Sequence, residues 1–188
     1  MAATNRIGVC AWCLQTDDPE TAFCRAREEL GVDVVQVGFF GAAAVEAADV
    51  ERIRVAAEAN NIELSASFVL FDNEDYSSIA AVAATGGFVP DNRVDERMAL
   101  LRRVCEITAA LNIERISIHA GTIPGGASHP HWTSLRDRFR AAADLLADHG
   151  LRLLFETGQE PATALSDMLE AIDRPNIGIN FDSGNFIM

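Results

Sequence analysis

Six short β-like runs alternate with five helical patterns along the chain, and this alternation limits the fold more than any other feature. The runs cover residues 6–14, 33–39, 62–71, 114–120, 151–156 and 176–182. Strands separated by helices cannot be joined as hairpins, so the pattern predicts a parallel sheet with helical crossovers. The helices are clearly punctuated. Asp18-Pro19-Glu20 supplies a cap, a first helical residue and a first-turn acid, and Gly31 closes that helix. Asn60-Asn61, Asn112, Gly150 and Arg174-Pro175-Asn176 each precede the next run, where left-handed caps or a proline stop belong. Apolar positions from Val94 to Leu111 keep a 3.6-residue period and predict an amphipathic helix.

Read at period two, each run has a bulky apolar phase and a small or polar phase. The bulky phase holds Val9, Val35, Val37, Phe39, Leu64, Phe68, Ile116, Ile118, Leu153, Phe155, Ile179 and Phe181. The other holds Cys10, Trp12, Gln36, Ser65, Ser67, Ser117, His119, Glu156, Asn180 and Asp182. Strands of an open sheet covered on both faces are apolar on both faces. A closed barrel turns one phase to the helices and collects polar groups inside. The expected fold is therefore a (β/α)8, or TIM-type, barrel. Eight such units need roughly 250 residues, so the 188 residues are expected to form a single incomplete barrel domain, 1–188, with six strands and five covering helices, ending after the sixth strand. Its open sheet edges are expected to promote self-association.

Composition excludes some partners. All 15 basic residues are arginine and 28 acids outnumber them, giving a net charge of −13, so no basic face is available for nucleic acid. No apolar run spans a bilayer and no secretory h-region follows Met1, so a cytoplasmic protein without membrane contact is expected. Cys10, Cys13, Cys24 and Cys105 are too few for a disulfide framework. With Cys10-Ala11-Trp12-Cys13 read as strand, the two thiols point to opposite faces and stay unbonded.

Barrel chemistry sits at the C-terminal ends of strands, and His119, Glu156 and Asp182 all fall there on the inward phase. Two buried carboxylates need a cation. Arg152 lies about 13 Å back along the strand from Glu156, which leaves a divalent metal as the better partner. Trp12 is read as an apolar wall for a ligand or a barrel plug. Residues 72–93 suit a lid or a surface excursion, and His129-Pro130-His131 reads as solvated loop rather than a metal pair. Gln159 and Glu160 begin the loop after the fifth run, as substrate contacts or helix caps.

The flanking motifs carry a family resemblance. Ile7-Gly8-Val9-Cys10-Ala11-Trp12-Cys13-Leu14-Gln15, Glu74-Asp75-Tyr76-Ser77, Thr85-Gly86-Gly87, His119-Ala120-Gly121-Thr122, Phe155-Glu156-Thr157-Gly158-Gln159-Glu160 and Asn180-Phe181-Asp182-Ser183-Gly184-Asn185 occur in order. Together they resemble the sugar phosphate isomerase/epimerase family, the xylose-isomerase-like TIM barrels. The resemblance implies one divalent ion (Mn, Mg, Co or Zn), with Glu156 and Asp182 as its ligands on strands five and six; the histidine and glutamate of strands seven and eight have no counterpart here. It implies that Glu156 is also the catalytic base, and that His119, Asn185, Trp12 and Glu160 contact substrate. Asn185 stands where the sugar epimerases often have histidine. The implied activity is isomerisation or epimerisation of a sugar or cyclitol by proton transfer through an enediolate. A dehydratase or lyase on the same scaffold, and a non-catalytic fragment, remain open. The scarcity of arginine clusters favours a neutral sugar or polyol as the small-molecule partner.

Overall fold

The computed structural model describes residues 5–158 and 160–185. Its strands are β1 (Val9–Cys10), β2 (Val34–Phe40), β3 (Glu63–Leu70), β4 (Arg115–His119), β5 (Arg152–Glu156) and β6 (Ile177–Asn180). The helices are α1 (Pro19–Cys24), α2 (Gly41–Ala47), α3 (Val50–Ala59), α4 (Ile79–Thr85), α5 (Val94–Ala110), α6 (Trp132–Asp148) and α7 (Ala162–Ile172). All strands are parallel and lie side by side in chain order, forming an open six-stranded sheet of the incomplete-barrel kind.

The described residues contain seven helices where five were expected. The pattern between β2 and β3 splits at Ala48 and Asp49, where Asp49 accepts the Arg52 N–H at 2.9 Å and starts a new helix. The extra helix α4 lies inside the 72–93 segment and is capped by Ser78, whose hydroxyl accepts from the Ala81 N–H at 3.1 Å. The other punctuation follows its chemistry. Asp18 accepts the Thr21 N–H at 2.9 Å, and α1 runs on as a wider turn, Arg25–Glu29, before Gly31 at φ 68°. Asn61, Asn112 and Gly150 adopt φ 52°, 57° and 71°. At the end of α7 the left-handed residue is Asp173, φ 50°, just before the expected proline stop.

The helix-facing side of the sheet is the core. Val35, Phe39, Val69, Ile116, Ile118, Leu153 and Phe155 are buried under helical residues that include Leu101, Phe139, Leu146 and Met168. Phe139 packs on Phe155 at 4.9 Å between ring centres, edge to face, and so fixes α6 over β5. The same phase is exposed at the sheet's two margins, Ile7 by 78%, Ile179 by 47% and Phe181 by 71%.

Two strands depart from the period-two reading. In β3 the pairing with β2 jumps from Val35↔Leu64 to Gln36↔Ala66, so Ser65 is an extra residue and the faces exchange beyond it. Phe68 therefore lies in register with Gly38 and Ser117 on the inner face, and Ser67 with Val37 and Ile116 on the helix side. The displaced hydroxyl is satisfied, because Thr108 Oγ1 on α5 donates to Ser67 Oγ at 2.8 Å and both residues are fully buried. The first run is strand only at Val9–Cys10 and then tightens into a 3₁₀ turn, Ala11–Leu14. Cys10 and Cys13 are both free thiols, as expected, although the strand argument for that outcome does not hold. No helix among the described residues is long and apolar enough to cross a membrane.

The Ser67–Thr108 pair gives a stability test. Thr108→Val should destabilise the fold by about 1–3 kcal/mol, the cost of one buried hydroxyl without a partner. Adding Ser67→Ala should recover most of that loss. Urea unfolding of the two single variants and the double variant measures the coupling, and additive effects would show that the bond contributes nothing.

Candidate functional site

Unshifted parallel pairing carries side chains from successive strands into rows, and one row ends the sheet. His119 on β4 pairs with Glu156 on β5, which pairs with Asn180 on β6. Asp182 follows two residues later. Its position is fixed by Thr157, whose hydroxyl accepts the Asp182 N–H at 2.8 Å and donates to the Asp182 carbonyl at 3.1 Å, while the Thr157 N–H reaches the Asn180 carbonyl at 3.0 Å.

Glu156 is the perturbed acid of the site. Burial first, and the charge of Asp182 second, push its carboxyl up to about 7, and no cation contributes. Asp182 Oδ1 accepts the Gly184 N–H at 2.8 Å. On β1, the Cys10 thiol is pushed up to about 11 by burial, then by Cys13, Glu156 and Asp182. Cys10, on the strand at the opposite margin of the sheet from β6, thus feels both carboxylates.

His119 is half-buried. Burial lowers its pKa, against the opposing influence of Glu74 and Glu160. The Gly121 N–H points to its Nδ1 at 3.4 Å, which places the proton of the neutral ring on Nε2. Glu160 is buried rather than an exposed cap, and its Oε1 accepts the Gly158 N–H at 3.1 Å. Gln159 lies outside the described residues. Asn185 is committed elsewhere, since its amide donates to the Thr157 carbonyl at 2.8 Å.

Trp12 lies on the inner side as part of an aromatic wall. Its ring meets Phe40 at 5.3 Å and Phe68 at 5.5 Å, and 38% of the residue stays exposed. Gly38 makes room for this wall, because a Cβ there would sit 2.6 Å from the Phe40 ring and 2.9 Å from that of Trp12. His129 and His131 are exposed and line a separate cleft of about 220 Å³ with Thr122, Ser134 and Arg138.

The segment after β3 is a pinned wall. Glu74 accepts the Phe71 N–H at 3.2 Å and the Gly87 N–H at 2.6 Å. Arg97, buried on α5, donates to the Thr85 carbonyl at 2.8 Å, to the Asp72 carbonyl at 3.4 Å and to the Gly87 carbonyl, with its guanidinium 5.2 Å from the Phe71 ring centre. Gly87, φ 53°, packs so closely on the Ala120 carbonyl that a Cβ would overlap it. Tyr76 rides on this segment and meets the His119 ring edge to face at 5.8 Å.

Among the described residues no three His, Cys, Asp or Glu side chains form a complete metal-binding group. The donors that fit a cation are Glu156 and Asp182, two oxygen ligands in mutual repulsion, a set suited to a hard divalent ion. Glu156 ends β5 as the sequence predicts, whereas Asp182 falls two residues past the end of β6 rather than within the strand. Sequence reasoning gave no role to Thr157, Arg97, Glu74 or Tyr76, although all but Arg97 lie in motifs it singled out. Period-two patterns are silent in loops, and their signal was the acidic and aromatic string before Thr85-Gly86-Gly87.

A family model for the xylose isomerase-like TIM barrel matches residues 24–188. No curated protein matches the sequence. Among solved structures, a xylose isomerase domain protein from Planctomyces limnophilus superposes with a TM-score of 0.75 at 30% identity, over 86% of this chain and 58% of that one. A D-allulose 3-epimerase from Methylomonas sp. gives 0.74 at 18% identity, over 100% and 67%. An L-ribulose 3-epimerase gives 0.73 at 16% identity, over 98% and 62%. The chain thus spans 58% to 67% of the length of these three proteins, and the two epimerases, at their low identity, share the fold. With the family model covering most of the sequence and the curled parallel sheet in place, the chain belongs to the xylose isomerase-like TIM barrel family.

Proposed function

We propose that this chain serves a divalent-metal-dependent isomerase or epimerase acting on a neutral sugar or cyclitol, with Glu156 as proton-transferring base. The observation that carries the reading is Glu156 itself, a half-buried carboxyl beside Asp182 with no cation among its influences. Burial and Asp182 raise its carboxyl in the metal-free chain, and a bound cation would favour both carboxylates in their charged form. Glu156 and Asp182 would hold the ion, which supplies charge neutralisation and polarises a substrate carbonyl. Glu156 takes the proton from the carbon next to that carbonyl, and the C–H electron pair moves to the carbonyl oxygen. Water on the other face returns a proton to the same carbon, the oxyanion's electron pair re-forms the carbonyl, and Glu156 gives its proton to solvent, which completes an epimerisation. His119, in its Nε2–H form, offers a hydrogen bond to a substrate oxygen, and Trp12 with Phe40 and Phe68 supplies an apolar wall for the carbon skeleton. Asn185, tied to Thr157, holds the end of the β6 loop rather than substrate. Related structures include a D-allulose 3-epimerase in complex with D-allulose and a D-psicose 3-epimerase in the presence of D-fructose, which supports ketoses as the first substrates to try.

The test is exchange of a substrate C–H with D2O. With Mn2+ and D-fructose or D-allulose, the chain should incorporate deuterium next to the carbonyl, and Glu156→Gln should abolish it. Exchange without Glu156 would overturn the assignment of the base, and elimination of water from the substrate would replace epimerisation with dehydration. Calorimetric titration should give one Mn2+ per chain. Asp182→Asn should weaken it by more than about 10-fold, since even loss of a group behind a ligand costs that much.

Metal-free stability should depend on pH through Glu156. Its folded pKa is raised from 4.5 to about 7, so the folded chain holds a proton that the unfolded chain has released. The stability this contributes is complete below 4.5 and is lost as pH rises through about 7. Relative to Glu156→Gln, the unmutated chain should lose of order 2 kcal/mol across that window after allowance for partial solvent screening. Denaturant midpoints of both proteins at several pH values, measured in chelator, check the sign; parallel curves would remove the buried-acid account.

A further inference from the structure

Tyr76 is the only tyrosine in the sequence, and neither the pinned wall nor the proton chemistry described above uses its ring. Its hydroxyl donates to Glu74 Oε2 at 3.0 Å. That carboxylate is already anchored by the Phe71 and Gly87 amides, so the phenol is held at its far end by a group that cannot swing. The ring meets the His119 imidazole at 73° and 5.8 Å between centres. Backbone also closes on the imidazole at Nδ1. A Cβ on Gly86 would come 3.5 Å from His119 Nδ1, and the Gly121 N–H points at the same nitrogen. The imidazole thus meets both the Tyr76 ring and the Gly86–Gly121 backbone, with Nδ1 occupied and Nε2 left to donate.

We propose that Tyr76 is a positioning residue for His119, fixing the imidazole so that its Nε2–H meets an oxygen of the bound sugar. The contact with sugar rests on the function proposed above, whereas the positioning rests on the ring geometry. Glu74 extends the same device by one link. It converts the pinning of the β3–α4 segment by Arg97 into a fixed angle between two rings.

The experiment uses the full chain with Tyr76→Phe, Tyr76→Leu and Tyr76→Ala. Two-bond proton–nitrogen correlation of the imidazoles reads the tautomer of His119, identified by its loss in His119→Gln. Deuterium exchange into D-fructose or D-allulose with Mn2+ gives KM and kcat. Tyr76→Phe, which keeps the ring but loses its tie to Glu74, should keep the Nε2–H tautomer with a KM between those of the unmutated chain and Tyr76→Leu. Tyr76→Leu and Tyr76→Ala should show averaged tautomers and a KM raised about 3- to 10-fold, the range one aromatic pair contributes, with kcat and Mn2+ affinity changed less. Amide protection at Gly87 confirms that the segment stays folded, and Tyr76→Leu keeps enough bulk to serve if Tyr76→Ala does not fold. An Nδ1–H tautomer in the unmutated chain, or a tautomer and KM unaffected by Tyr76→Leu, overturns the positioning role alone. No exchange by the unmutated chain overturns the proposed function and the sugar contact with it.

Discussion

The step-for-step pairing of β4, β5 and β6 is the constraint on which the rest of the site depends. Parallel strands in unbroken register carry equivalent residues into one row, and here the row is His119, Glu156 and Asn180 at the end where the barrel opens. Nothing in the row favours folding by itself, because it gathers a half-buried acid and an imidazole whose burial disfavours charge. The opposite face holds it together. Phe155, one residue before Glu156, is clamped by Phe139, and Leu153 and Ile118 are fully buried beside it. Adjacent residues of one strand thus serve opposite purposes, and the apolar face offsets the cost of the polar one.

The mouth is finished by loops whose backbone groups are fully used. Thr157 joins the ends of β5 and β6 through its hydroxyl and its amide, so the spacing of Glu156 and Asp182 does not depend on a loop's freedom. Arg97 does the same for the segment after β3, and its partners are carbonyls and an aromatic face rather than a carboxylate. Its Nε is buried without a partner. A guanidinium placed this way is an expensive pin, and it is held because three carbonyl dipoles and the Phe71 ring surround it.

Much of this was legible in the sequence, and the failures have physical causes. The helix-facing phase of β2, β4 and β5 could be read because those strands keep strict alternation, and His119 and Glu156 came with them. In β3 the phase was wrong beyond Ser65, since alternation cannot register an extra residue that pairs with nothing. The first run was read too long because Trp12 and Leu14 continue an apolar pattern through what is a 3₁₀ turn. Asp182 was found from its place after β6. The bond from the Asn185 amide to the Thr157 carbonyl is a detail that only coordinates show. The roles of Glu74, Tyr76 and Arg97 depend on a segment folding back over the sheet end, which no local pattern announces.

The extra residue in β3 also bears on how such a chain can change length over evolution. Ser65 lets one strand serve two layers, with Leu64 before it facing the helices and Phe68 after it facing inward, two residues that a regular strand would put on one side. An in-frame loss of that codon would straighten the strand and leave Ser67 and Phe68 on their present sides, whereas a one-residue insertion between Ala66 and Ser67 is not a neutral lengthening. Such an insertion would move Phe68 beneath α5 and turn Ser67 toward the aromatic wall, separating the latter from Thr108 while disturbing Trp12. Insertions in descendants of this sequence should therefore be purged from the part of β3 beyond Ser65 and accumulate in the exposed stretch around His129, where a change of length moves no side chain from one layer to the other.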